Sequence, residues 1–347
     1  MRIVVDINHP GHVHYFKNFI WEMEKRGNTI LVTATDKQTI ISLLNHYEIP
    51  YIPMPGYKGG LVKKTFQIFY QDINYYKRIA PFSPDILLGF GSIRAAHSAW
   101  IMRRPFIALD DTEHATHEHL LYVPFATAIL TPECFQKDFG RKHIRYKGYT
   151  ELLYLHPNYF TPNPRVLEKL NVKPGDIYTI IRLVSWEAVH DINQRGIPDV
   201  YQLISVLQKY GRVFISSEKE LSPDLEGLRL PIEPHELHDA LYYASLYIGE
   251  GATTASEAVM LGTPAIYVNS LPLGYLDELQ KIYHTIINIR HVDDVIKDLT
   301  GPINDFLSEL SSNNLKKENR YKILDDTVDI TDFLIHSIEK FKTSNVD

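Results

Sequence analysis

The stretch Gly249-Glu250-Gly251-Ala252-Thr253-Thr254-Ala255-Ser256-Glu257-Ala258, running on to Gly262-Thr263-Pro264, decides how this chain is read. An apolar strand candidate (245–248) precedes it, two glycines occupy the turn, hydroxyl residues stand where a helix should begin, and a second strand candidate (265–269) follows at once. This is how a parallel sheet is built from strand, turn and helix. Glycine lets backbone approach a ligand closely. The first turn of the helix offers N–H groups without intrahelical partners, and the positive end of its dipole, to an anion such as a diphosphate. The same letters have a purely structural meaning, because Thr254-x-x-Glu257 also has the spacing of a capping box. The stretch alone leaves both open.

Outward from it, short β-rich runs alternate with helical stretches, the pattern of parallel sheets covered on both faces. Residues 3–7, 29–35, 50–54, 85–90, 105–110, 126–130 and 144–149 read as strands, with helices expected at 13–26, 61–79 and 95–102. The proline-punctuated segment His156-Pro157-Asn158-Tyr159-Phe160-Thr161-Pro162-Asn163-Pro164 suits an exposed connection. The alternation restarts with strands expected at 178–184, 212–216, 228–232, 246–249, 265–269 and 285–289. The chain from about Pro302 reads as helical, with 311–314 as a polar turn. The fold class expected is α/β: two doubly wound, Rossmann-like halves facing a cleft. Their limits are 1–155 and 165–325, with a C-terminal helix at 326–347 packing back on the first.

Composition narrows the function. The 347 residues, 44% of them hydrophobic, exceed one ordinary core and fit two domains. Thirty-six Lys and Arg against 42 Asp and Glu leave a net charge of -6, with no basic block that would point to nucleic acid. Local basic clusters, Lys58 with Lys63 and Lys64, and Arg103-Arg104, are solvated loop ends or a contact for an anionic membrane surface. The single Cys134 excludes an internal disulfide framework and suits a reducing compartment. The start, Met1-Arg2-Ile3-Val4-Val5-Asp6, is a strand interrupted by an acid and lacks a signal-peptide pattern. A cytoplasmic protein, free or at the inner face of the membrane, is expected.

The loops at the strands' carboxyl ends carry the candidate chemistry. Asn8-His9-Pro10-Gly11-His12-Val13-His14 places three histidines in six residues. His12, beside Gly11, is read as a base for an acceptor hydroxyl, whereas His9 and His14 are read as capping or packing the helix. Gly89-Phe90-Gly91-Ser92 forms a second glycine-rich turn, weak evidence alone. Asp110-Asp111-Thr112-Glu113-His114, with His117, Glu118 and His119, collects ionisable groups on the same rim, where a carboxylate orients a sugar or acts as base if its pKa is raised. A metal on His114, His117 and His119 is the minor reading, since neither a His-Glu-x-x-His pattern nor supporting cysteines are present. Arg182 offers two aligned donors to a diphosphate, or else pairs with Glu187 or Asp191. Ser185 in the same loop, and His235 at the turn before the next helix, complete the donor-side candidates.

In this order the loops resemble those of the two-domain GT-B glycosyltransferases, most closely an uncharacterised archaeal and bacterial family of predicted glycosyltransferases. Asn8-His9-Pro10-Gly11-His12-Val13 and Pro84-Asp85-Ile86-Leu87-Leu88-Gly89-Phe90-Gly91 are similar to two glycine turns of the peptidoglycan lipid-linked N-acetylglucosaminyltransferase. The stretch 249–264 is similar to its nucleotide-sugar motif and to that of UDP-N-acetylglucosamine 2-epimerases. The resemblance implies Glu257 on the ribose hydroxyls and Gly249, Gly251, Thr253 and Thr254 against the diphosphate. It also implies His12 near the reacting sugar, and Asp111 and Glu113 on the acceptor side. Two positions differ from that pattern: Leu183-Val184-Ser185-Trp186 replaces a glycine-rich loop, and Glu250 sits between the two glycines, where its charge opposes a diphosphate unless turned away.

The function expected is therefore transfer of a sugar from a nucleotide-sugar donor, UDP-linked for preference, to a glycan or lipid-linked acceptor, with no cofactor and no metal. A UDP-sugar 2-epimerase and a non-catalytic nucleotide-binding protein are the alternatives.

Overall fold

A computed structural model describes the backbone of residues 1–56, 61–184, 196–217, 220–309 and 315–343, and their side chains except those of 61–68, 296, 309, 315–317, 342 and 343. The chain divides into two compact units, Met1–Tyr154 with Val328–Asp347, and Leu155–Thr327. Ser185, Glu187, His190, Asp191, Lys58, the Lys63 and Lys64 side chains and the turn at 311–314 lie outside the described residues.

The first unit runs β1 (Arg2–Ile7), α1 (Pro10–Lys25), β2 (Thr29–Thr35), α2 (Gln38–His46), β3 (Tyr51–Met54), α3 (Leu61–Ile79), β4 (Ile86–Phe90), α4 (Ile93–Met102), β5 (Phe106–Leu109), α5 (Thr116–Tyr122), β6 (Ala128–Pro132) and β7 (His143–Tyr146), then the short α6 (Leu152–Leu155). Its seven strands are parallel in the order β3-β2-β1-β4-β5-β6-β7. Strands β1, β4 and β5 are apolar almost throughout because helices cover both faces, and Val4, Leu87, Phe106 and Ile129 pack with Tyr75, Ala95 and Ala99 of the helices. The winding reverses between β1 and β4, where Asp6 lies opposite Gly89. Ligands of open α/β sheets gather at the carboxyl ends of strands beside such a reversal.

The second unit runs α7 (Val166–Lys169), β8 (Tyr178–Leu183), α8 (Val200–Leu207), β9 (Arg212–Ser217), α9 (Leu237–Tyr243), β10 (Leu246–Gly249), α10 (Ala252–Met260), β11 (Ala265–Val268), α11 (Gly274–Tyr283), β12 (Ile286–Ile289), α12 (Val295–Glu309) and α13 (Leu315–Asp326). Its five parallel strands are ordered β12-β11-β10-β8-β9, so the reversal falls between β8 and β10. Ile181, Ile248, Ile266 and Val268 pack with Leu203, Leu299 and Ile303 in its core. The strand expected at 228–232 does not form. A 3₁₀ turn (Glu226–Leu228) and a single bridge from Ile215 to Arg229 take its place, because Pro231 brings no N–H to a ladder. Pro302 lies inside α12, which begins seven residues before the helical start expected near it.

The last helix, α14 (Ile330–Thr343), belongs to the first unit. Ile330, Leu334, Ile335 and Ile338 bury its apolar stripe, the Val328 amide donates to the Lys147 carbonyl at 2.9 Å, and Arg26, the C-cap of α1, pairs with Glu339 at 3.2 Å. No described helix is long and apolar enough to cross a membrane.

Candidate functional site

At the reversal of the second unit, Arg182 and Gly249 lie opposite each other at the ends of β8 and β10. Helix α10 starts three residues after Gly249, at Ala252 with Gly251 as its N-cap, and no side chain among the described residues caps it. Thr254 is therefore the third helical residue and Glu257 lies in the second turn, so the capping box that their spacing suggested is not built. Amides at the start of an uncapped helix are donors without intrahelical partners. Thr253 is half-buried and Thr254 buried on that first turn.

The two glycines have different causes. A Cβ on Gly249 would lie 2.5 Å from the Tyr247 hydroxyl and 2.7 Å from the Arg182 Cβ, so its glycine is demanded by the protein's own packing. A Cβ on Gly251 would meet the Arg182 Cγ at 3.4 Å and nothing closer. Buried Tyr247 donates its hydroxyl to the Gly251 carbonyl at 3.0 Å and so braces the turn. Arg182 is half-buried, and its Nη1 donates to Ser216 Oγ on β9 at 2.7 Å, which fixes the guanidinium at the carboxyl edge.

Glu250 does turn away from the helix start. Its carboxylate accepts the Val184 amide at 3.0 Å and the Ile197 amide at 2.9 Å, and its own carbonyl accepts Asn269 Nδ2 at 3.1 Å. Two backbone donors hold the charge that the sequence set against a diphosphate. Glu257 is buried, and its Oε1 accepts the Nε2 proton of His238 on α9 at 2.9 Å. His235 lies half-buried in the 3₁₀ turn (Pro234–Glu236) just before α9. His238, three residues on, escaped the sequence reading, though its spacing from His235 puts both at one helix start.

In the first unit the β1 turn contains His12, buried and packed against Tyr15 and Phe90 at centroid distances of 5.8 and 4.9 Å. Burial foremost, and the neighbouring charge of His9 after it, hold its pKa well below the usual imidazole value, so the ring is neutral at pH 7. Its Nδ1 accepts the Asn8 amide at 3.3 Å, which puts the proton of the neutral ring on Nε2. In this arrangement Nδ1 is occupied by the Asn8 amide and Nε2 carries the ring's N–H. His9 caps α1 by accepting the Gly11 amide, and His14 packs on Tyr154.

Below that turn lies a buried ion pair. Asp6 receives Arg94 through Nε and Nη2 at 2.9–3.1 Å, together with the hydroxyls of Ser92 at 2.5 Å and Thr33 at 2.6 Å. Arg94 Nη2 also reaches Asn8 Oδ1 at 2.9 Å, tying the ion pair to the turn before His12. This pair explains the second glycine turn: Ser92 caps α4 while donating to Asp6, and Gly91 takes a positive φ of 51°. The acid inside an apolar first strand was its only trace in the sequence.

At the end of β5, buried Asp110 accepts His119 Nε2 at 3.0 Å, the Thr112 amide at 2.8 Å and the Tyr122 hydroxyl. Asp111 beside it is half-buried and accepts the Thr112 hydroxyl at 2.9 Å. Burial first, then the Asp110 carboxylate and more weakly that of Glu113, push Asp111 up to about 7 against the lowering pull of the Thr112 and Thr150 hydroxyls. Glu113 is half-buried in the turn before α5. Of the histidines weighed for a metal, His119 is engaged by Asp110 and Lys137 and His117 is exposed. No cluster of three ligating side chains occurs among the described residues.

Comparison with known proteins agrees with this architecture. The spinosyn rhamnosyltransferase SpnG complexed with thymidine diphosphate matches over 98% of this chain and all of its own, at a TM-score of 0.64 and 13% identity. The UDP-GlcNAc 2-epimerase from Neisseria meningitidis bound to UDP-GlcNAc matches over 93% of this chain and all of its own, at 0.62 and 14%. These likenesses and the two parallel sheets establish the GT-B fold class. In sequence, the uncharacterized protein MJ0665 of Methanocaldococcus jannaschii is 26% identical over 322 residues, covering 87% of this chain and 92% of its own length. The family model described as "Protein of unknown function (DUF354)" matches residues 1–339, and the chain belongs to that family.

Proposed function

We propose that the protein is a glycosyltransferase that moves a sugar from a nucleoside diphosphate donor, UDP-linked for preference, to a glycan or lipid-linked acceptor. The observation that carries this reading is the second unit's reversal, where Arg182 at the end of β8 lies beside the uncapped start of α10, its Cγ 3.4 Å from where a Cβ on Gly251 would stand. The GT-B fold, and the nucleotide ligands named for its structural neighbours, support it.

The donor's diphosphate lies against the amides of Ala252, Thr253 and Thr254, with the threonine hydroxyls and Arg182 beside it. As the bond from the anomeric carbon to the diphosphate oxygen breaks, charge grows on the leaving group, and donors already aimed there stabilise it more than the ground state. These groups take the role that a divalent ion plays elsewhere, so activity is expected to survive a chelator. Glu257 accepts the ribose hydroxyls. On the acceptor side Asp111 takes the proton of the attacking hydroxyl, since a base poised near the working pH is the most effective. His12 contributes its Nε2 proton as a donor to the sugar or acceptor. Glu113 assists in acceptor binding.

A thermal-shift panel of UDP, TDP, GDP, ADP and CMP tests the reading, because a ligand of the native state raises the midpoint with its affinity. UDP should give the largest shift, and Glu257→Ala should remove most of it. A panel without any shift would overturn the donor site. Incubation with UDP-GlcNAc alone separates transfer from the neighbouring chemistry, since an epimerase would turn it over without acceptor. Binding without turnover of any donor, acceptors included, would leave a nucleotide-binding protein.

A further inference from the structure

Right-handed crossovers put α3, α4 and α5 side by side on one face of the first unit's sheet, and α1 and α2, with α14 packed on α1, on the other. His97 on α4 bonds Asp72 of α3 at 2.7 Å and the Leu121 carbonyl of α5 at 2.9 Å, which braces the three helices into one layer. On α3 the buried positions Gln71, Tyr75 and Ile79 face the sheet, and the opposite side exposes Phe69, Tyr70 and Ile73. Trp100 and Ile101 of α4 and Leu120 of α5 are exposed on the neighbouring helices, and Phe69, Trp100 and Leu120 stand open at 72%, 65% and 68%. Among the described residues α1, α2 and α14 expose no large apolar side chain, so the open apolar surface belongs to one face. Surface of this kind marks a contact site.

Charge follows the same face. Lys77 in the last turn of α3, and Arg103 and Arg104 after α4, are exposed, and none of them pairs with an acid among the described residues. The turn after α4 closes with the Arg104 amide on the Ala99 carbonyl at 2.8 Å and the Arg103 amide on the Trp100 carbonyl at 3.1 Å. Arg103 takes a φ of 53° in it, where glycine is the usual residue, so its charge is not there for the turn's sake. Asp72 is engaged by His97, which leaves Glu118 on α5 as the exposed acid among the described side chains of the layer. The whole chain carries a net charge of -6, so the basic edge is local. It lies where α3 and α4 end, at the amino edge of the sheet, whereas the turns of His12 and Asp111 lie at the carboxyl edge. These bases therefore serve neither the proposed diphosphate nor the acceptor.

We propose that the outer side of α3, α4 and α5 docks the protein on a bilayer that contains anionic lipid, with Phe69, Tyr70 and Trp100 entering the headgroup region and Lys77, Arg103 and Arg104 meeting the lipid charge. Tyrosine and tryptophan favour the boundary between hydrocarbon and water, and a negative surface potential draws bases that stand near it. An isologous contact between two copies would bring the same basic edge into both sides, whereas an anionic bilayer matches the apolar centre and the basic edge together. Docking does not depend on the donor site, so its failure and that of the nucleotide reading are separate results.

Flotation of the full chain with lipid vesicles tests the surface. The protein should float with phosphatidylcholine vesicles that contain phosphatidylglycerol, stay behind with phosphatidylcholine alone, and be released by salt. Lys77→Ala, Arg103→Ala and Arg104→Ala should each weaken partitioning about fivefold, and the triple variant about a hundredfold. Phe69→Asp combined with Trp100→Asp should abolish it, whereas Tyr321→Asp, at an exposed aromatic of the second unit, should leave it unchanged. Bromine-labelled lipid chains should quench tryptophan fluorescence in the wild type and not in Trp100→Phe, a reading that no loss of folding in the aspartate variants disturbs. Flotation that survives both the triple variant and the aspartate pair overturns the proposal, as does equal flotation with neutral vesicles or none with either. Self-association that rises with concentration and is lost in Trp100→Asp, without flotation, assigns the face to a second copy and overturns it as well.

Discussion

In the proposed mechanism Asp111 takes the proton of the acceptor hydroxyl, and its environment makes that role measurable in two independent ways. With a pKa of about 7 the carboxyl is half ionised at neutral pH. As a general base it works deprotonated, so kcat should rise with pH through about 7 and level off above it, and Asp111→Asn should lower kcat by 10²-fold or more with little change in donor KM. A rate independent of pH between 6 and 8 would remove Asp111 from the reaction. The second readout is stability. The folded-state pKa lies above the value of an unfolded aspartate, so the native protein disfavours the ionised form. That penalty is absent below about pH 4, grows as pH rises, and is complete above about 7. Asp111→Asn should therefore raise the melting midpoint at pH 8, by an effect on the order of 4 kcal/mol at most, and leave it nearly unchanged at pH 4. Equal shifts at both pH values would contradict the assignment. The residue was visible in sequence as one of two adjacent acids at a strand's end. Its raised pKa was not, because burial and the closeness of the Asp110 and Glu113 carboxylates arise only in the fold.

The element that matters most is the turn from β10 into α10, and its two glycines make opposite predictions. Gly249→Ala brings a Cβ into the buried Tyr247 ring and the Arg182 Cβ on the neighbouring strand, so overpacking should cost roughly 1–3 kcal/mol and displace Arg182 from Ser216. Gly251→Ala meets no contact below 3.4 Å and keeps an ordinary φ of -89°, so the fold should tolerate it with a melting midpoint near wild type. Its effect should fall on nucleotide affinity, where a methyl group stands at the mouth of the helix. Equal losses of stability in both variants would show that the turn does not work as described. The same element shows where a sequence is readable. Buried parallel strands are legible because their apolar runs need no alternation, as in β1, β4 and β10. The expected strand at 228–232 had the same apolar look but contained Pro231, which outweighs it. The helix start was legible from its glycines and hydroxyls, whereas the capping box was not formed, because the helix begins one turn earlier than Thr254 requires. The ion pair of Asp6 with Arg94 and the bond of His238 to Glu257 join residues 88 and 19 positions apart, and only the fold makes them neighbours.

At the scale of the molecule, the chain leaves the first unit after Tyr154 and returns to it at Val328, so residues 328–343 serve a core built by the first 154. Their attachment is specific. Thr331 Oγ1 donates to the Leu153 carbonyl at 2.7 Å, the same carbonyl that accepts Asn18 Nδ2 of α1 at 2.9 Å, while Ile330, Leu334, Ile335 and Ile338 are buried. Four apolar side chains withdrawn from water stabilise the first unit by roughly 1.5–3 kcal/mol each as an upper estimate. The second unit has its own core and keeps both elements of the proposed donor site, β8 with Arg182 and α10 with Glu257. Ending the chain after Thr327 should therefore act on one unit alone. In calorimetry the truncated protein should lose or sharply lower one of two transitions, while the other should still rise on addition of the nucleotide that binds the full chain, since a ligand stabilises the cooperative unit that holds it. Hydrogen exchange gives the same answer by position: the nucleotide should slow exchange at 249–257 in both proteins, and truncation should speed it in α1. If truncation abolished nucleotide binding while the second transition stayed in place, the donor site would depend on the first unit, and α10 with Arg182 would not suffice to hold the diphosphate.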